Sequence, residues 1–187
     1  MKFQLPDFAS VRILVAGDLM LDRYWSGETS RISPEAPVPV VRVTSSDERP
    51  GGAGNVALNI AALGAESAVL GVVGEDRDGL VLQQQLEAHS GLSCDLARAP
   101  NYPTVTKLRV LSRHQQLIRL DFEEPVCHAD LPSLGSAFER NLGQADVVIL
   151  SDYGKGALSD SRQLIARARA AGKPVLVDPK QRDFSHY

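Results

Sequence analysis

The chain has 187 residues, 43% hydrophobic and 23% charged, enough for one sizeable domain with a core of its own. A formal net charge of −3 argues against a broad basic surface, so nucleic acid is not an expected partner. No apolar stretch approaches the roughly 20 residues that span a bilayer, and MKFQLPDFAS lacks the apolar centre of a signal peptide, so no membrane partner is expected and the protein reads as cytoplasmic.

Val11–Gly17, VRILVAG, reads as a buried strand of a parallel sheet. No helix can follow at once, because Pro34, Pro37, Pro39 and Pro50 interrupt the next stretch. Val38, Val40, Val41 and Val43 look like an exposed strand inside this insertion. A helix is expected over Ala53–Leu63, a strand over Ser67–Val73 and a helix over Gly79–His89. Thr104–Ser112 and Gln116–Glu123 read as a hairpin with a polar turn at Arg113-His114-Gln115. A helix over Leu131–Leu142, capped by Asp130, precedes a buried strand over Asp146–Leu150. A helix opened by Asp160 or Ser161 and a strand over Val175–Val177 complete the chain. The alternation is that of an α/β layered fold. Segments 34–46 and 104–123 break it, and as antiparallel strands they would form a small lid over the strand carboxyl ends, where such folds bind ligands. The chain stops directly after a strand and its loop, which suggests the N-terminal part of a longer domain.

Cys94 and Cys127 form neither a disulfide framework nor a metal motif and read as free thiols. The four histidines are scattered and receive no role. The glycine-rich stretch RPGGAGNVALNIAALGA, residues 49–65, admits three readings. A nucleotide P-loop requires a Lys-Ser/Thr pair that does not follow Gly54. A dinucleotide fingerprint fits Gly52-x-Gly54-x-x-Ala57 with Glu75 or Asp76 as the acid, but the glycines do not follow the first strand. The third reading is a helix N-terminus lying against a polyhydroxylated ligand. There Gly51 and Gly52 allow close approach, and Asn55 offers an amide donor and acceptor. A glycine turn without a ligand stays open beside it.

Other polar residues gather where the fold places strand ends. Asp18 either caps a turn or binds hydroxyls, and Asp22 follows it at the same strand end. Asp76 reads as a helix cap. Lys107, Arg109, Arg113 and Arg119 fall on the hairpin, and 107 and 109 share a face that is either solvated or grips an anion. Ser151-Asp152-Tyr153-Gly154-Lys155-Gly156 and Val177-Asp178-Pro179-Lys180 each place an Asp and a nearby Lys after a strand.

Taken in order, GGAGNVALNIAALG, GDLMLDRYW, RISPEAPVPVV, SDYGKGAL and VDPK give a specific resemblance. The chain resembles the ribokinase-like (PfkB) carbohydrate kinases from Val11 to Tyr187, and within them the D-glycero-β-D-manno-heptose 7-phosphate kinases. The resemblance implies a layered sheet with helices on both faces and a β lid that often mediates homodimerisation. It implies transfer of the ATP γ-phosphate, with Mg2+, to the anomeric hydroxyl of the sugar phosphate, in the route to ADP-heptose and lipopolysaccharide core. It also implies that an adenylyltransferase domain can follow in the full-length chain. By motif, Asp22, Gly51, Gly52 and Asn55 would bind sugar hydroxyls. Lys107, Arg109 and Arg113 would meet the sugar or its phosphate, and Asp152 would lie in the crevice. Asp178 and Lys180 would face the transferred phosphate.

The sequence departs from the family in one respect. No residue matches the GAGD-like loop that carries the base and anion hole, nor the later Asn-x-x-Glu motif, so no catalytic residue and no metal ligand is assigned. The expectation is an incomplete kinase domain over 1–187, truncated at its C-terminus and inactive alone, that carries the sugar-binding half. A non-catalytic sugar-phosphate binding module and a nicotinamide-dependent oxidoreductase are the rival readings.

Overall fold

The computed structural model describes residues 7–113, 115–124, 134–180 and 182–187. Two sheets divide the work. The larger is built from β1 (Arg12–Gly17), β4 (Glu66–Gly74), β5 (Leu92–Ala99), β8 (Val147–Asp152) and β9 (Val175–Pro179). Its strand order is β5-β4-β1-β8-β9, and every pairing is parallel. The smaller contains β2 (Leu19–Ile32), β3 (Pro39–Gly52), β6 (Thr106–Ser112) and β7 (Gln115–Phe122), in the order β3-β2-β6-β7.

The large sheet is covered on both faces, and side-chain alternation along β1 shows why. Leu14 and Ala16 point to one face, with Phe138 and Leu142 of α3 (Gly135–Leu142) and Leu164 and Ala168 of α4 (Ser161–Ala170). Val15 points to the other, with Ala57 and Ile60 of α1 (Ala53–Ala62) and Leu82 and Leu86 of α2 (Arg77–Glu87). A parallel strand buried on both faces needs a continuous apolar run, which is what VRILVAG supplies. At β9 the cover thins. Val175 and Val177 pack on the α3–α4 side, whereas Leu176 is 60% exposed on the other.

The layered α/β class and a separate small sheet are as the sequence predicts, but that lid is larger and mixed: β2–β3 and β6–β7 pair antiparallel, whereas β2 and β6, which join its two parts, pair parallel. Its first part is two 14-residue strands, Leu19–Ile32 and Pro39–Gly52, in place of one strand near 34–46. GDLMLDRYW is therefore mostly strand. Polar Asp22 and Tyr24 alternate with Arg23 and Trp25 because both faces of the lid carry contacts, and this blurs the period-two signal. β5 is also an addition. Its letters LSCDLARA lack an apolar run because it is the half-buried edge of the sheet. Helix α3 begins at Gly135, and Cys127, His128, the Asp130 cap and residues 131–133 lie outside the described residues, as does His114. Asp76 does cap α2, accepting from Gly79 N–H at 2.7 Å.

Candidate functional site

Asp18 links the two sheets and shapes the site from beneath. It follows β1 and is 2% exposed. One carboxylate oxygen accepts N–H groups from Tyr153 and Lys155, at 2.8 and 2.9 Å, and the other accepts from Ala157 at 3.0 Å. Its backbone carbonyl accepts from Ala53 N–H at 2.9 Å, fixing the start of α1. Burial raises the Asp18 pKa and the three N–H groups oppose it. Both oxygens are used inside the fold, so Asp18 positions the loop after β8.

Above this floor, a cavity of about 500 Å³ opens at the carboxyl ends of the parallel strands, beneath the lid. Met20, Asp22, Gly51, Gly52 and Asn55 line one side. Lys107, Arg109, Arg119, Asp121 and Glu123 come from the lid hairpin, and Tyr153, Lys155 and Lys180 from the chain just past the ends of β8 and β9. Strand register explains the lid's share. Asp22 pairs with Lys107, Tyr24 with Arg109, Arg109 with Arg119 and Lys107 with Asp121, and directly opposed residues share a face.

The glycines have structural duties that the letters do not disclose. A Cβ on Gly51 would stand 2.5 Å from Asp22 Oδ2 and 2.8 Å from Met20 Cγ, so only glycine lets the Asp22 carboxylate sit over the floor. Gly52 has φ of +57° and its Cβ position lies 2.2 Å from the Asp18 carbonyl oxygen, a backbone shape suited to glycine alone. Asn55 is exposed in the first turn of α1, and among the described residues no hydrogen bond holds its side-chain amide.

The charged groups are arranged in pairs. Asp22 Oδ1 accepts from Arg109 Nη1 at 2.6 Å, and the Arg109 guanidinium lies 5.1 Å from the centre of the Tyr24 ring. Lys107 Nζ reaches Asp121 at 2.9 Å and Glu123 at 3.3 Å, and Lys155 Nζ reaches Glu123 at 2.8 Å. The hydrogen bond from Lys155 holds the Glu123 carboxyl below its usual range, with Lys107 adding to the effect and burial opposing it. Lys107 and Arg119 do the same for Asp121. Among the described residues Lys180 makes no ion pair.

Seven of the ten sequence-assigned residues line this cavity: Asp22, Gly51, Gly52, Asn55, Lys107, Arg109 and Lys180. Three do not. Arg113 is exposed at the hairpin tip with φ of 54°. Asp152 is buried, and its oxygens accept from Gly154 N–H at 2.7 Å and Tyr187 O–H at 2.5 Å. Asp178 is exposed on β9, paired in register with Ser151. Asp121, Glu123 and Tyr153 carry no assignment from sequence. The alternation 119, 121, 123 along β7 and just past its end is the signal that reaches the two acids once the hairpin register is known.

The glycines thus end a lid strand, β3, and do not follow β1, and Asp76 is spent on capping α2 and on Thr104. This is not the setting of a dinucleotide fingerprint. A family model described as "pfkB family carbohydrate kinase" matches residues 11–187. The chain belongs to the pfkB carbohydrate kinase family. Among curated relatives of this kinase-family chain, "Bifunctional protein HldE" of Aeromonas hydrophila is 59% identical over 187 residues, covering 100% of this chain and 39% of that protein. The protein of the same name from Vibrio cholerae is 54% identical over 187 residues, with the same two shares of 100% and 39%. The chain therefore spans about 39% of the length of the curated relatives it matches. In fold it is similar to Escherichia coli phosphofructokinase-2 in complex with fructose-6-phosphate, with a TM-score of 0.67 at 22% identity over 94% of this chain and 57% of that one. Arabidopsis thaliana ribokinase complexed with ribose and ATP gives a TM-score of 0.63 at 18% identity, over 90% and 53% of the two chains. Membership of this kinase family sets aside the oxidoreductase reading. No helix among the described residues is long and apolar enough to cross a membrane.

Proposed function

We propose that this chain is the acceptor-binding half of a kinase that transfers the ATP γ-phosphate to the anomeric hydroxyl of D-glycero-β-D-manno-heptose 7-phosphate, in the cytoplasm. One observation supports it above the others: a single cavity joins a hydroxyl-binding floor to cations drawn from both sheets. Asp22, held in place by Arg109, accepts from sugar hydroxyls, and the free Asn55 amide both donates and accepts. Lys107 and Lys155 carry the charge needed for the sugar's own phosphate. Lys180 stands on the side where the transferred phosphate enters, with Asp178 at the same strand end.

ATP supplies the phosphoryl group, and magnesium neutralises it in such reactions. No three His, Cys, Asp or Glu side chains among the described residues converge to hold a metal ion, so no step is assigned to magnesium here. No GAGD-like loop occurs in the 187 residues, and the base that deprotonates the attacking hydroxyl is therefore not assigned either. The chain by itself binds its acceptor and does not turn over. The lid also serves as a homodimer interface, and an adenylyltransferase domain follows in the longer protein.

Calorimetry of this chain with heptose 7-phosphate, ATP and NAD tests the reading. Saturable binding of the sugar phosphate, weakened at least tenfold in Asp22→Asn, is the expected result. NAD binding without sugar-phosphate binding overturns it. Turnover by the 187-residue chain at the rate of its longer relatives overturns the division of labour.

A further inference from the structure

Glu123 is the group in this cavity that hydroxyl recognition leaves unexplained. It lies just past the end of β7, and its side chain is 32% exposed. Among the described residues its carboxylate has two partners, Lys155 Nζ at 2.8 Å and Lys107 Nζ at 3.3 Å. One ammonium comes from the loop after β8 of the large sheet and the other from β6 of the lid, so the carboxylate ties the lid to that loop across the cavity. The fold does not need it to neutralise Lys107, which already has Asp121 at 2.9 Å. Two ammonium groups converging on one pair of anionic oxygens is also the arrangement that holds a phosphate.

We propose that Glu123 is an internal counter-anion, occupying the acceptor's phosphate subsite and exchanged for that phosphate when the sugar phosphate binds. The proposal rests on the reading of the ligand as a sugar phosphate. A phosphate monoester carries nearly two negative charges and three acceptor oxygens, against one charge and two oxygens for the carboxylate. It therefore displaces Glu123 from both lysines. A sugar without phosphate has nothing to exchange and leaves Glu123 in place. Selectivity for the phosphorylated acceptor then comes from the competition as well as from the lysines. Until exchange, the bridge keeps both lysines pointed into the cavity and the lid drawn toward the large sheet.

The test is E123Q in the same chain, titrated with heptose 7-phosphate, with the unphosphorylated heptose and with inorganic phosphate. Partly exposed ion pairs are each worth up to about 1 kcal/mol, so removing the competitor strengthens sugar-phosphate binding by about tenfold. Unphosphorylated heptose binding stays the same, and inorganic phosphate gains by a similar factor. E123A gives the same gain, and Lys155→Ala added to E123Q abolishes it. Unchanged or weaker sugar-phosphate and phosphate binding in E123Q overturns the proposal, because Glu123 then only orients the lysines. Equal weakening for both sugars overturns it too, because Glu123 is then a hydroxyl ligand. The phosphate titration separates this proposal from the functional one. If wild-type chain fails to bind heptose 7-phosphate, the sugar assignment fails, while the phosphate gain in E123Q still upholds the exchange and its absence still rejects it.

Discussion

Gly51 and Gly52 are adjacent and chemically identical, yet they serve different ends. Gly52 needs its positive φ and its closeness to the Asp18 carbonyl, both fixed by backbone. Gly51 needs only to leave room for side chains, the Asp22 carboxylate and Met20. Gly52→Ala is therefore expected to destabilise the chain by roughly 2–4 kcal/mol, combining left-handed strain with overpacking, read as a lower urea midpoint. Gly51→Ala is expected to cost about 1 kcal/mol of stability, because flexible groups can move, but to weaken sugar-phosphate binding tenfold or more by displacing Asp22. Similar binding losses scaled to stability in both variants would reject this distinction. The sequence singles out this loop as the proposed sugar-side floor, but it does not say which glycine makes room for the Asp22 side chain and which for backbone. That depends on what lies within about 3 Å, and the neighbours come from elsewhere in the chain, Met20 and Asp22 from β2 and Asp18 from the link between β1 and β2.

At the scale of elements, the lid is anchored as well as folded. On the face opposite Asp22, Arg23 binds Glu48 of β3 at 2.6 Å and Asp78 of α2 at 2.7 Å, with all three side chains at most 23% exposed. Asp78 also accepts from the Thr106 hydroxyl at 2.9 Å. Two lid strands, β2 and β6, thus meet one helix end through the Asp78 carboxylate, and β3 joins them through the Arg23–Glu48 pair. Asp78→Ala leaves the Arg23 charge half-paired and the Thr106 hydroxyl with its weaker bond to the Thr104 carbonyl at 3.2 Å. A loss of about 2–3 kcal/mol is expected, since the group is less than fully buried. Hydrogen exchange should rise first in β2 and β6 and leave β1 and β4 protected. Uniform acceleration over both sheets would count against a local anchor. Neither β2 nor this anchor is legible in the sequence. Alternation is a sequence signal only where one face is dry and the other wet, and β2 carries polar contacts on both. The β1, β4 and β8 strands are legible because they are buried on both faces and hence uniformly apolar.

At the scale of the whole molecule, the lid face that carries the Arg23–Asp78 anchor also leaves large apolar side chains exposed among the described residues. Trp25, Ile118, Leu120 and Phe122 are 38–53% exposed, and cross-strand register puts them on the face away from Lys107. An exposed apolar strip of this kind is what the proposed homodimer interface requires. Leu120→Glu is expected to turn the proposed homodimer into a monomer in sedimentation, with little change in the melting of the large sheet. A monomeric wild-type chain at micromolar concentration would reject the lid as a dimer interface.

The sequence by itself determined the α/β class, the sites of most helices and central strands, and the kinase family, because period, punctuation and ordered motifs are local properties of the chain. It also named seven of the residues that line the cavity. The tertiary structure alone decided which charges meet. Glu123 reaches Lys155 across 32 positions of chain, and Asp22 reaches Arg109 across 87. Asp152 turns inward and Arg113 outward although both lie in motifs that suggested ligand contact. Coulombic and hydrogen-bond partners act over a few ångströms, and that distance is fixed by strand register and sheet stacking, which no stretch of letters carries alone.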